Sequence, residues 1–145
     1  MAEPRQRVLF ICTGNSARSQ MAEGLLRDLA GDRYEAHSAG TDPKPEVHPL
    51  AVVAMREVGL DLSGAAPKDL EQFEGQAFDL VVTVCDHARE SCPVFRGAAR
   101  QEHWGFEDPA AAEGSEEERL SAFRRIRDEI RERLEAWLAQ EGSRR

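Results

Sequence analysis

Apolar residues fall along this chain in short continuous runs separated by stretches of helical period. Val8-Leu9-Phe10-Ile11, within a predicted strand at 7–12, is the unbroken kind of run that is buried on both faces of a sheet. After a loop at 12–18, Met21, Leu25 and Leu29 recur at i+4 spacing and predict a helix to about residue 30, stopped by Gly31. A short strand fits 34–38. His48-Pro49 then opens a helix whose Leu50, Val53, Ala54 and Val58 share one side before Gly59 ends it. The run from Phe78 to Val84 is β-branched enough to be a central strand, and a weaker strand lies near 100–104. Leu120, Phe123, Ile126, Ile130, Leu134 and Leu138 form the inward stripe of a closing helix over 115–140, with 139–145 expected as a frayed tail.

Strands alternating with helices predict an α/β fold: one domain over 1–145, built on a four-stranded parallel sheet flanked by helices on both faces. In such sheets ligands sit just beyond the carboxyl ends of the strands. Cys12 and Cys85 both fall at such ends, so their thiols are expected to face the same rim.

The segment Cys12-Thr13-Gly14-Asn15-Ser16-Ala17-Arg18-Ser19 turns that placement into chemistry. Loop amides and a helix N-terminus concentrate positive potential, which holds a tetrahedral oxyanion and favours a thiolate over a thiol. Arg18 adds a planar, bidentate donor. A core cysteine would not require small loop residues and an arginine to follow it. Gly14 permits close backbone approach to the anion, Asn15 suits a positive φ, and Ser19 can donate to the thiolate. Ser16 and Ser19 equally suit a helix start.

Composition narrows the reading further. With 145 residues, 41% hydrophobic and 32% charged, the chain has enough material for one real core. No run approaches the ~18 apolar residues of a membrane span, and the opening segment reads as no signal peptide. A cytoplasmic monomer is expected, with no membrane contact. The net charge of −8 argues against a nucleic-acid partner. It does not argue against an anion site, because loop amides act locally and distant charges are screened within about a Debye length, ~8 Å.

Three cysteines cannot all be tied up in internal bridges, and in the cytoplasm a disulfide is more often transient than structural. Cys85 and Cys92 are seven apart. On an intact helix that is ~10.5 Å from the 1.5 Å rise, beyond the roughly 4.4–6.8 Å that a disulfide spans. A marginal helix here, ended by Pro93, would have to unwind for the bridge to close and so act as a redox switch. The alternatives are two buried small residues, or a zinc site of Cys12, Cys85, Cys92 and His87 whose spacing is poor for structural zinc. His37, His48 and His103 show no ligand spacing.

Expelling oxygen from a tetrahedral oxyanion calls for an acid. Asp108, after the last strand, is the first choice and Glu107 its rival, although Asp108-Pro109 is also an ordinary turn signal. Trp104 and Phe106 read as packing residues.

Together these residues resemble the thioredoxin-coupled arsenate reductases, which share the fold of low-molecular-weight tyrosine phosphatases. The resemblance runs through Phe10 to Ser16, Arg18 to Gly24, Ser38-Ala39-Gly40, Asp79 to Thr83, Cys85 with Cys92-Pro93, and Glu102 to Phe106 with Asp108-Pro109-Ala110. It implies that Cys12 attacks arsenate while Arg18 and the amides of Thr13, Gly14, Asn15, Ser16 and Ala17 hold its oxygens. It further implies that Asp108 protonates the departing oxygen and that Cys85 attacks the Cys12–arsenic adduct, leaving a Cys12–Cys85 disulfide. Cys92 would take over that bridge, and thioredoxin would reduce the Cys85–Cys92 pair, in the service of arsenical resistance. No tightly bound cofactor is implied, but some relatives hold potassium, and Asn15, Glu23, Ser38 and Asp69 stand at the matching positions, an oxygen set suited to a hard cation.

Two departures are visible: Ala17 replaces a further cysteine of some relatives, and Glu107 stands where some carry a second aspartate. Phosphate and sulfate are the expected competing oxyanions. The alternative function is a phosphatase for phosphotyrosine or aryl phosphates, since phosphate and arsenate share shape and charge. Against it stand the Cys85/Cys92 pair, which phosphoryl transfer does not need, and Ala110, where such phosphatases place an aromatic.

Overall fold

A computed structural model of the chain describes residues 4–85 and 94–143. The expected helix between Cys85 and Cys92, and Cys92 itself, lie outside the described residues. Strand β1 (Gln6–Cys12) leads into helix α1 (Arg18–Ala30), strand β2 (Tyr34–Gly40) and helix α2 (Pro49–Arg56). Strands β3 (Leu80–Thr83) and β4 (Gln101–His103) follow, and helix α3 (Glu116–Ser143) closes the chain. Two short 3-10 helices, Leu70–Phe73 and Pro109–Ala111, carry no hydrophobic period and were not anticipated.

The four strands form one parallel sheet in the order β2-β1-β3-β4. The strand order reverses between β1 and β3, which opens a crevice beyond their carboxyl ends. Alternation along β1 divides the core. Val8, Phe10 and Cys12 join Leu80, Val82 and Val84 under α1, α2 and α3, whereas Leu9 and Ile11 join Val81, Phe73, Phe78 and Phe95 on the other face. The three α-helices among the described residues therefore cover one face. Among the described residues the second face is covered by the 3-10 helix Leu70–Phe73 and adjoining loops.

Three details differ from expectation. The inward side of α2 is Leu50, Ala51, Ala54 and Met55, with Val53 only half-buried; its alanines face inward, while Glu57, just beyond the helix, binds Arg124 and Arg127 of α3. Gly31 has a right-handed φ of −63°. A Cβ there would lie 2.4 Å from the Arg27 carbonyl, so close approach rather than a left-handed turn calls for glycine. The closing helix extends beyond 140: α3 runs to Ser143, and Glu141 pairs with Arg100 at the edge of β4. Trp137, absent from the expected stripe, is buried against Tyr34 and Trp104.

No helix among the described residues is long and apolar enough to cross a membrane. The three described histidines have structural partners. His37 and Arg7 bind Glu35 and hold its carboxyl down to about 2, His103 meets the Thr83 hydroxyl, and His48 caps α2 through Nδ1.

Candidate active site

The loop from Cys12 to Arg18 lies at the mouth of that crevice. Cys12 ends β1 and is 2% exposed. Its sulfur receives the Asn15 backbone N–H at 3.1 Å and lies 2.7 Å from the Ser19 hydroxyl. Ala17, the N-cap of α1, has no side chain that could cap the helix, which leaves the first-turn amides for another acceptor. Thr13, Gly14, Ser16, Ala17 and Arg18 line a cavity of about 170 Å³ together with Cys12, Asp42, Lys44, Asp108 and Ala110. The expected anion cradle, less Asn15, is thus one surface with a sulfur in its wall.

Asn15 has a different task. It is fully buried with φ of 48°, and all four hydrogen-bonding positions of its amide are used. Nδ2 donates to Ser19 Oγ at 2.8 Å and to Ser38 Oγ at 2.9 Å. Oδ1 accepts from the Lys68 backbone N–H at 2.8 Å and from Gln20 Nε2 at 3.1 Å. The strained backbone is held from behind the loop, so Asn15 shapes the cradle rather than lining it.

Arg18 is buried at 4% exposure. Its Nη1 donates to the Phe106 carbonyl at 3.2 Å, and Nη2 lies 3.9 Å from Asp108 Oδ2. One side of the guanidinium is thereby anchored to the loop after β4. Asp108 divides its two oxygens: Oδ1 accepts the Ala110 N–H at 3.0 Å and caps the 3-10 helix, while Oδ2 faces Arg18 across the cavity. Glu107 is exposed, binds Arg125 at 3.0 Å and does not line the cavity.

Cys85 follows the neighbouring strand. Ile11 pairs with Thr83, and the Val84 N–H donates to the Ile11 carbonyl at 2.9 Å. Cys85 is therefore one residue beyond the position opposite Cys12, on strands ~4.8 Å apart. Both cysteines follow neighbouring strands at the same edge of the sheet and both are buried, although Cys85 does not line the cavity. The zinc alternative requires Cys92 and His87, which lie outside the described residues; among the described residues no group of three or more His, Cys, Asp or Glu could hold a metal ion.

The potassium ligands implied by resemblance do not fit that ion. Ser38 Oγ donates to Glu23 Oε1 at 2.8 Å, and the Lys68 ammonium lies 3.4 Å from the same oxygen. Glu23 Oε2 accepts from Arg27 at 3.1 Å. Asp69 Oδ1 is engaged with the Glu71 N–H at 2.9 Å, and Asn15 Oδ1 already accepts two donors. A third cation 4 Å from either of the two present would meet a repulsion of about 4 kcal/mol at an effective dielectric near 20.

Four contributors escaped the sequence reading. Gln20 and Lys68 brace Asn15, Lys44 covers Gly14, and the His48 N–H donates to the Ser16 carbonyl at 2.8 Å. His48-Pro49 was legible as a helix start, but nothing in its spacing announced the loop it would touch.

Comparison with known proteins agrees with this geometry. The model of the low molecular weight phosphotyrosine protein phosphatase family matches residues 7–144. An arsenate reductase of Halalkalibacterium halodurans is 46% identical over 130 residues, which cover 90% of this chain and 93% of its own. The solved structure of an arsenate reductase in its phosphate-binding state superposes with a TM-score of 0.79 at 33% identity, covering 93% of this chain and 98% of its own. The thioredoxin-dependent arsenate reductase of Corynebacterium glutamicum gives 0.73 at 33% identity, covering 99% of this chain and 65% of its own. This chain belongs to the low molecular weight phosphotyrosine protein phosphatase family.

Proposed function

We propose that the protein reduces arsenate to arsenite with electrons from thioredoxin, as part of arsenic detoxification in the cytoplasm. The Cys12 thiolate attacks arsenic(V), and an oxygen leaves as water with a proton supplied by Asp108. The Cys85 thiolate then attacks Cys12 Sγ. The sulfur–arsenic bond breaks with its electron pair going to arsenic, so arsenite departs and a Cys12–Cys85 disulfide remains. Cys92 attacks Cys85, frees the Cys12 thiolate, and leaves a Cys85–Cys92 disulfide for the thioredoxin dithiol to reduce. Two thiols are oxidised for each arsenic reduced.

The observation that carries this reading is the position of Cys85 at the end of β3, one strand away from Cys12. Phosphoester hydrolysis needs only the nucleophile, the cradle and the acid, whereas arsenate reduction needs a second thiol within reach. The similarity to arsenate reductases over nine-tenths of the chain supports the same substrate. A residual phosphatase activity follows from the same cavity, with phosphate and sulfate competing for it.

NADPH consumption with arsenate, thioredoxin and thioredoxin reductase tests the proposal, with glutathione and glutaredoxin as the alternative reductant. Cys85→Ala is expected to stop arsenate reduction while hydrolysis of para-nitrophenyl phosphate survives. Equal loss of both activities, or of neither, would refute the relay.

A further inference from the structure

Glu23 is a carboxylate buried on the core side of α1, and such a group stays charged only with close partners. Its cations come from within the chain. Arg27 lies one turn along α1, and Lys68 arrives from the segment before the 3-10 helix Leu70–Phe73. Lys68 is also fixed by its backbone, since its N–H binds Asn15 Oδ1 at 2.8 Å and its carbonyl accepts the Gly40 N–H at 2.8 Å. From its ammonium a continuous line of contacts runs to Glu23, Ser38, Asn15, Ser19 and the Cys12 sulfur.

We propose that the Lys68 ammonium is a built-in monovalent cation that takes the place of a bound metal ion behind the Cys12 loop, making the protein indifferent to potassium. Glu23 needs positive charge beside it to hold Ser38, and Ser38 in turn holds the Asn15 amide in the orientation that the loop's positive φ requires. A tethered ammonium supplies that charge without loss of translational freedom and without dependence on salt composition. Lys68 is on this account a positioning residue: it touches neither substrate nor sulfur and acts through Asn15 and Ser19. The inference rests on Cys12–Arg18 being the anion loop, and not on which oxyanion it takes.

The test compares thermal unfolding and turnover in KCl, NaCl and tetramethylammonium chloride at equal ionic strength. The wild-type midpoint and kcat/KM are expected to be the same in all three. Lys68→Met should lower the midpoint and cut kcat about tenfold with a smaller change in KM, and KCl should restore part of both where tetramethylammonium does not. Lys68→Arg, which keeps the charge, should retain most of what Lys68→Met loses. A wild-type midpoint that rises in potassium over sodium overturns the proposal, as does a Lys68→Met protein that keeps wild-type values or an arginine variant that falls as far. Should Lys68→Met fail to fold, Glu23→Gln carries the test: in that background removing the ammonium should cost far less than in wild type, and full additivity would sink the idea. The unfolding measurements stand whether or not arsenate is the substrate.

Discussion

The Ser19 hydroxyl lies 2.7 Å from the Cys12 sulfur and accepts a hydrogen bond from Asn15 Nδ2 at 2.8 Å, so its own proton points to the sulfur when the sulfur is ionised. A hydrogen bond to a buried charged group contributes about 1.5–3 kcal/mol. Ser19→Ala is therefore expected to lower kcat/KM for arsenate by about tenfold to a hundredfold, with circular dichroism unchanged. Steady-state kinetics of the folded variant checks this, and wild-type kinetics would mean that the hydroxyl serves only the helix start.

Asp108 divides its two oxygens between a turn and the cavity. Asparagine is as good a cap as aspartate, so Asp108→Asn leaves the 3-10 helix in place and removes only the transferable proton. The expected result is a fall in kcat of about a hundredfold or more, with a thermal midpoint close to wild type. A variant that loses stability instead of turnover would reassign Asp108 to the turn alone.

These two residues also mark what could be read from the sequence. Cys12, Ser19 and Arg18 lie within eight consecutive residues on a strand–loop–helix, so local spacing fixes their juxtaposition. The place of Asp108 beside the loop was legible because the carboxyl ends of parallel strands share one rim, whereas the pairing of Glu107 with Arg125 was not, since it depends on how α3 packs. Lys68, Lys44 and His48 reach the loop from segments whose approach is tertiary, and no periodicity encodes that. The helix α2 shows the same limit: alanine and valine are both apolar, and packing rather than hydropathy turns Ala51, Ala54 and Met55 inward while Val52 and Val53 stay half-buried.

His48 gives a pH dependence with a definite sign. Burial, ahead of repulsion from Arg119, pushes its imidazole below the ordinary 6.5, with Lys44 acting the same way and Asp108 and Glu46 opposing. The unfolded chain then binds the proton more readily than the folded one. The contribution to stability is full above the unfolded value and is lost as pH falls through the folded value. Urea unfolding across about pH 5–8 should show stability declining toward acid, and His48→Asn, which can still cap α2, should flatten that decline. An unchanged slope in the variant would place the titration elsewhere.

Lys44 lines the cavity, and its stem covers Gly14 so closely that a Cβ there would meet Lys44 Cγ at 3.1 Å. In a chain of net charge −8 it brings a cation to the mouth of an anion site. It makes no hydrogen bond to the loop through its ammonium that would tie it to the nucleophile, so its charge should act on capture of the oxyanion rather than on bond breaking. Lys44→Met keeps the stem over Gly14 and removes only the charge. An exposed electrostatic contribution of about 0.5–1 kcal/mol corresponds to KM for arsenate rising about two- to fivefold, with kcat altered less. The difference should shrink as ionic strength rises and the Debye length falls toward ~3 Å. A KM effect that persists undiminished in high salt would show that Lys44 holds the anion by direct contact, and a collapse of kcat would place it in the chemical step itself.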